Sequence, residues 1–191
     1  MTQQTDLYNA IIDSAVNLAA KSSWESLRLH DIATELDISL ADIYEYFAEK
    51  EQISDAWFER ADRQMLSASQ ASLFPTLSNQ QKFHNLLMTW LDSLAINQKV
   101  TRQMILNKLE PGHLHIQIPA LLRISRTVQW LREGANQNST LPWRAFDETV
   151  LTSIYLITFC CWLTDKSPLF NRTKRCLDRQ LTLATKLGFL K

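Results

Sequence analysis

The sequence predicts an all-α protein, with a small N-terminal helix-turn-helix domain followed by a larger helical domain. Three observations carry that prediction. Only 3 Gly and 5 Pro occur in 191 residues, and β-branched runs are few, which leaves little room for strands and their turns. Apolar residues recur every three to four positions through most of the chain, the period of an amphipathic helix. Finally, Arg28 to Trp57, RLHDIATELDISLADIYEYFAEKEQISDAW, reads as two short helices joined by a tight turn and followed by a longer third. With 46% apolar residues the chain can bury one large core or two small ones.

The elements follow in order. Asp6 to Lys21 carries Ile12, Ala15, Val16 and Ala19 on one face, enough for a helix packed beneath the pair. Leu29, Ile32, Ala33 and Leu36 give a short helix with one apolar stripe, broken at Asp37-Ile38. Ser39 is an expected N-cap, and Asp42 sits three residues on, where its carboxylate reaches back as in a capping box. Ile43 and Phe47 form the inner stripe of this second helix, while Tyr44 and Tyr46 fall on other faces. So short a turn forces a steep crossing, which pushes the second helix outward where a major groove would receive it.

From Lys50 a third pattern runs through Ile53, Trp57, Ala61, Met65 and Ala68. Ser69 to Gln80 is the end of that helix and a loop, with Pro75 as the breaker. Gln81 to Ile96 is the next helix, and Val100 to Leu109 continues helically until Glu110-Pro111-Gly112. Pro119 is expected in the first turn of a helix passing Leu122 and Arg126 to a stop at Gly134. After a polar loop, Asn136 to Pro142, two long helices cover Phe146 to Thr164 and Leu169 to Leu187, separated by Asp165-Lys166-Ser167-Pro168. No internal repeat or low-complexity segment is present. The expected division is a helix-turn-helix domain at 1–50 and a helical ligand-binding and dimerisation domain at 51–191.

The stretch IIDSAVNLAAKSSWESLRLHDIATELDISLADIYEYFAEKEQI resembles the N-terminal domain of TetR-type regulators. Those run as an initial helix, a surface turn, Asp-Ile-Ala, a helix-turn-helix ending in Tyr-x-His/Tyr-Phe, and then Lys-Glu. The matching positions are Asp31-Ile32-Ala33, Ser39, Ile43, Tyr44, Tyr46, Phe47, Lys50 and Glu51. The resemblance implies a TetR-like fold with a C-terminal ligand-binding and dimerisation domain. It also implies a homodimer that reads a palindromic operator with one recognition helix per half-site, as a repressor released by an apolar small molecule. Ligand binding would change the separation of the two reading heads by favouring one of two populations.

The departures from that pattern concern charge. Where the family often has Lys-Gly-Thr after the Ser, this chain has Leu40-Ala41-Asp42, and Glu45 lies within the same helix. Residues 1–63 hold five Lys and Arg against thirteen Asp and Glu, a net of −8, whereas 64–191 holds fifteen against seven, a net of +8. Non-specific DNA affinity comes mainly from cations that displace condensed counterions, so an acidic head starts at a disadvantage. The expected DNA contacts are Arg28, His30, Ser39, Leu40, Ala41, Tyr44, Tyr46 and Lys50. Hydroxyls, cations and the helix N-terminus would meet phosphates, and Leu40 and Ala41 would touch thymine methyls.

In the C-terminal half, Phe83, Trp90, Met104, Trp130, Tyr155, Phe159 and Trp162 supply large apolar walls with polar handles, the mix expected of a small-molecule or lipid pocket. The last two helices are the expected dimer element, through Val150, Ile154, Ile157 and Cys161 on one and Cys176, Leu177, Leu181 and Ala184 on the other. Such a hairpin pairs with its two-fold copy as a four-helix bundle. The run LPWRAFDETVLTSIYLITFCCWLTDKSPLFNRTKRCL also resembles COQ9-type proteins of the same fold. That second resemblance implies an alternative: an isoprenoid-binding accessory protein of ubiquinone biosynthesis that does not bind DNA.

Other classes find little support. No apolar run approaches the roughly 20 residues that span a bilayer, and no basic-then-apolar leader opens the chain. Three cysteines, two of them adjacent, make no disulfide framework, which suits a reducing cytoplasm. Cys160-Cys161 reads as a buried thiol pair in an apolar helix. His113-x-His115 beside Glu110 has the spacing of a surface turn rather than of helical metal ligands. No glycine-rich phosphate loop is present, and no nucleophile–base pair follows from spacing. The expectation is a non-enzyme without metal or cofactor.

Overall fold

The computed structural model describes residues 2–108, 114–137 and 143–189, with side chains described over 6–108, 122–137 and 144–189. Glu110-Pro111-Gly112, His113 and the 138–142 loop therefore lie outside the described residues, as does the side chain of His115. Among the described residues all regular structure is helical, so the all-α expectation holds. The helices are α1 (Thr2–Lys21), α2 (Leu29–Leu36), α3 (Leu40–Tyr44), α4 (Lys50–Ala68), α5 (Asn79–Ala95), α6 (Gln98–Lys108), α7 (Leu114–Gly134), α8 (Trp143–Leu163) and α9 (Asn171–Lys186). Single 3-10 turns at Phe74–Thr76 and Pro168–Phe170 precede α5 and α9.

Helix ends fall within about four residues of expectation, and those of α7 are made differently. α7 begins at Leu114, so Pro119 falls in its second turn rather than its first. Its end is not made by Gly134 either. Asn136 takes the left-handed conformation (φ 54°), and the Gln137 N–H reaches the Arg132 carbonyl at 3.1 Å, closing the helix as a Schellman stop. Gly134 is still helical. Its use is space, because a Cβ there would stand 3.3 Å from a Leu86 methyl.

The chain forms two compact units. The first comprises 1–60 and 96–117, the second 61–95 and 118–191. In the first, Ile11, Ile12, Ala15, Val16 and Ala19 of α1 are buried with Ile32, Ile43, Phe47, Ile53 and Trp57. Helix α6 belongs to this unit and is tied into it by polar bonds. Trp57 Nε1 donates to Thr101 Oγ1 (3.0 Å), the Trp24 N–H donates to Gln103 Oε1 (2.9 Å), and Lys108 Nζ meets Asp55 Oδ1 at 2.5 Å.

The second unit centres on Trp90, buried with Phe83, Leu87, Leu91, Leu151, Phe159, Trp162, Leu177 and Leu181. Trp90 Nε1 donates to the buried Asp62 carboxylate at 2.7 Å, and Thr127 Oγ1 donates to the same oxygen at 3.0 Å. Helix α8 is apolar around most of its circumference. An 18-residue window within 144–163 has a mean hydropathy of 1.3, so by length and composition alone it could cross a membrane, contrary to the expectation that no segment would. Leu151, Ile154, Tyr155, Thr158, Phe159 and Trp162 of this helix are buried within the unit.

A buried carboxylate sets the α8–α9 connection. Asp165 is 1% exposed. One oxygen accepts from the Ser167 N–H (2.8 Å) and hydroxyl (2.6 Å), the other from the Thr173 N–H (2.8 Å) and hydroxyl (2.7 Å). Ser167 Oγ accepts in turn from the Arg172 N–H at 3.0 Å. Together they cap the first turn of α9 from outside it, although Leu169 and Phe170 are left-handed (φ 52° and 54°). Burial by itself pushes the Asp165 carboxyl up, but the hydrogen bonds from Ser167 and Thr173 outweigh it and hold the group well below the usual carboxylate range.

Asp165→Ala is expected to lower stability by about 3 kcal/mol, since buried donors lose a charged acceptor. The folded value of this carboxyl lies below its unfolded value of about 3.9, so its contribution is complete above roughly pH 4 and is lost as pH falls further. Urea midpoints measured from about pH 6 down to about pH 3 should fall for the parent protein and fall less steeply for Asp165→Asn.

Candidate nucleic-acid interface

The helix-turn-helix is assembled by local chemistry. Helix α2 starts at Arg28, whose backbone N–H donates to Asp31 Oδ2 at 3.0 Å. It ends at Asp37, left-handed at φ 52° and ψ 46°, with the Ile38 N–H reaching the Ala33 carbonyl at 3.0 Å. Ser39 then caps α3. Its hydroxyl accepts from the Asp42 N–H (3.1 Å) while Asp42 Oδ2 accepts from the Ser39 N–H (2.8 Å) and hydroxyl (2.7 Å). These hydrogen bonds, from the Ser39 hydroxyl first and the backbone second, hold the Asp42 carboxyl below its usual range. Asp42, an apparent obstacle to phosphate binding, is thus engaged in the helix cap.

The sequence-selected DNA contacts separate into two groups. Ser39, Leu40 (50% exposed), Ala41 and Tyr44 (70% exposed) are solvent-exposed on and just before α3, with Glu45 beside them. Arg28 and His30 are exposed at the start of α2. Arg28 is not bare, because its guanidinium lies on the Asp31 carboxylate in a two-point contact at 2.7 and 3.3 Å. That contact raises the Arg28 pKa and lowers that of Asp31.

Tyr46 and Lys50 are placed differently. Tyr46 is half-buried, edge-on to Tyr8 with ring centroids 6.3 Å apart, and Tyr8 stacks on Phe47 at 5.0 Å. Lys50 Nζ donates to the carbonyls of Trp24 (3.0 Å), Glu25 (3.2 Å) and Leu27 (3.1 Å) and lies 5.7 Å from the Trp24 ring centroid. An ammonium has three donors, and all three are engaged here. Lys50 therefore organises the α1–α2 turn. Its carbonyl partners are 23 to 26 residues away, beyond the reach of spacing arguments.

The C-terminal expectations divide similarly. Phe83, Trp90, Tyr155, Phe159 and Trp162 are buried side by side in the second unit. Trp90 is edge-on to Tyr155 (5.3 Å) and Phe159 (5.4 Å), and Phe159 stacks on Trp162 at 5.9 Å. Trp130 is 45% exposed, and Met104, though buried, belongs to the first unit. An open groove of about 320 Å³ in the second unit is lined by a different set, Leu77, Gln80, Gln81, His84, Asn85 and Asp178. Of the expected dimer residues, Ile154, Leu177, Leu181 and Ala184 are buried in their own unit, Val150, Cys161 and Cys176 are half-buried, and Ile157 is 53% exposed.

The same fold and order of elements occur in a TetR transcriptional regulator from Nitrosomonas europaea ATCC 19718. That structure is 48% identical in sequence, matches 95% of this chain and 99% of its own, and superposes with a TM-score of 0.85. This chain belongs to the TetR family of transcriptional regulators. A TetR transcriptional regulator from Rhodococcus sp. RHA1, 17% identical over 95% of this chain and 96% of its own, shares the fold with a TM-score of 0.71. Among curated proteins, the nucleoid occlusion factor SlmA of Haemophilus influenzae (strain PittGG) is 25% identical over 145 residues. That match covers 75% of this chain and 66% of SlmA, so the chain spans just under two thirds of that relative's length. No family model matches the chain.

For this TetR-family head, Lys50→Met is expected to cost about 2 kcal/mol by leaving three carbonyls without their cation. Arg28→Ala, removing an exposed pair, should leave stability unchanged within error. Urea unfolding of the two variants checks the contrast, and equal losses would place Lys50 among the surface charges.

Proposed function

We propose that this TetR-family protein is a cytoplasmic, homodimeric, non-enzymatic regulator that binds operator DNA through α3 and acts as a repressor released by an apolar small molecule. The observation that carries this reading is the outer face of α3. Its cap is complete, and Leu40, Ala41 and Tyr44 stand exposed on it. Leu40 and Ala41 suit thymine methyls, and the Tyr44 hydroxyl suits phosphates or base edges, while the Ser39 hydroxyl has its proton on Asp42 and offers only acceptor capacity, to a donor on a base edge. The proposed head spans 1–50, with 51–191 for ligand binding and dimerisation.

The dimer face proposed is one flank of the α8–α9 hairpin. At helical spacing, Phe146, Val150, Ile157 and Cys161 share a side of α8, and Cys176, Leu183 and Leu187 share a side of α9. Phe146, Ile157, Leu183 and Leu187 are 53 to 65% exposed, apolar surface of the kind a second copy covers. Ile157→Asp should convert the dimer to a monomer of unchanged helicity, read by light scattering and circular dichroism.

With Lys50 engaged internally, Arg28 is one of the few cations left to grip phosphates, by exchanging its exposed pairing with Asp31 for a phosphate, so the salt dependence of binding should be shallow. Each cation on a phosphate contributes about 0.9 to the slope of log K against log salt, so Arg28→Ala in both heads should flatten it by about 2. Fluorescence anisotropy with the protein's own upstream DNA at several salt concentrations measures this. Absence of binding even at low salt, with isoprenoid lipid co-purifying, would favour the lipid-binding accessory role that the C-terminal resemblance implies.

A further inference from the structure

The antiparallel register of α8 and α9 is fixed at two points. Near the connection, Thr173 donates twice to Asp165; farther along, Gln180 Nε2 donates to Thr158 Oγ1 at 3.1 Å. Between these ties lie Cys161 and Cys176, 15 residues apart and midway between the tied pairs at 8 and 22, so the register sets them opposite one another across the hairpin. The Gln180 amide holds this arrangement, 3.4 Å from Cys176 Sγ and 3.3 Å from the Cys176 carbonyl oxygen. Both sulfurs belong to half-buried residues, whereas Cys160 is exposed. Successive helical residues are rotated by about 100°, so the sequence neighbours Cys160 and Cys161 point apart. The thiol partners are the residues that the hairpin brings together.

We propose that Cys161 and Cys176 form a dithiol oxidised by hydroperoxides to a disulfide that staples α8 to α9. Burial, and then the Cys161 thiol beside it, push the Cys176 thiol up, which suits Cys176 to the resolving role and leaves Cys161 as the attacking sulfur. The Cys161 thiolate attacks the peroxide O–O bond. That bond breaks, an S–O bond forms, and the departing oxygen is protonated to water or an alcohol. The Cys176 sulfur then attacks the Cys161 sulfenic sulfur. An S–S bond forms, the S–O bond breaks, and the departing hydroxide takes the Cys176 proton as water. Two thiols lose two electrons and the peroxide gains them. A reducing cytoplasm keeps the dithiol as the resting form. The pair lies on the flank that carries Ile157; an effect on assembly rests on the dimer reading, but the disulfide itself does not.

The test is thiol titration of the full chain, denatured after treatment with hydrogen peroxide and removal of the oxidant, with peptide mapping after alkylation. The reduced protein has three titratable thiols. The expected result is a fall to one, with the Cys161 and Cys176 peptides linked and lighter by two hydrogens. The yield should be independent of protein concentration and reversed by dithiothreitol. Cys160→Ser should keep the link, and Cys176→Ser should lose it and leave a Cys161 sulfenic acid that dimedone captures. Three thiols surviving peroxide, or links that run through Cys160 or between chains, would overturn the proposal. Mapping the parent protein decides the matter even if a variant fails to fold.

Discussion

Short helices need help from their ends. An eight-residue α2 and a five-residue α3 are well below the length at which a helix persists alone in water. What holds them is a carboxylate accepting main-chain N–H groups at the first turn, Asp31 for α2 and Asp42 for α3. Asp165 does the same for α9 from outside the helix. Each places negative charge against the positive end of a helix dipole. The acidity of the head is therefore partly a structural requirement, because carboxylates that seemed to repel DNA are fastened to backbone amides. The cations follow the same logic, with Arg28 lying on Asp31 and Lys50 gathering the carbonyls of the preceding turn.

Much of this was legible in the sequence because it is local. Ser39 with Asp42 three residues on, the break at Asp37-Ile38, and the apolar positions of α1 and α4 are signals contained within one or two turns. Where the deciding partner is distant, spacing fails. Lys50, between Glu49 and Glu51, is expected from the sequence to meet a phosphate, yet its partners in the fold are the carbonyls of Trp24, Glu25 and Leu27. Gly134 reads as a helix stop because glycine tolerates the left-handed position, yet Asn136 takes that position and Gly134 admits Leu86. The aromatic residues expected to line a pocket are also those large enough to dominate a core, and composition alone cannot tell a wall from a stack. In the folded unit Trp90, Tyr155, Phe159 and Trp162 lie ring against ring.

The α8–α9 hairpin shows why periodicity assigned its faces incompletely. A helix as apolar as α8 offers two candidate stripes, one for its own unit and one for a partner, and a period of 3.6 residues does not rank them. In the folded unit the interior takes Ile154 from α8 and Leu177, Leu181 and Ala184 from α9, and Ile157 remains outside. The half-buried Cys161 and Cys176 occupy the margin between the two surfaces. A thiol suits that margin, being apolar enough to pack and still able to react when a small oxidant reaches it. Asp165 and Gln180 fix the register on either side, so the two sulfurs are opposed by the hairpin itself. Any change in how α9 lies on α8 would thus be felt at once by the core, the thiol pair and the exposed flank, because one register serves all three.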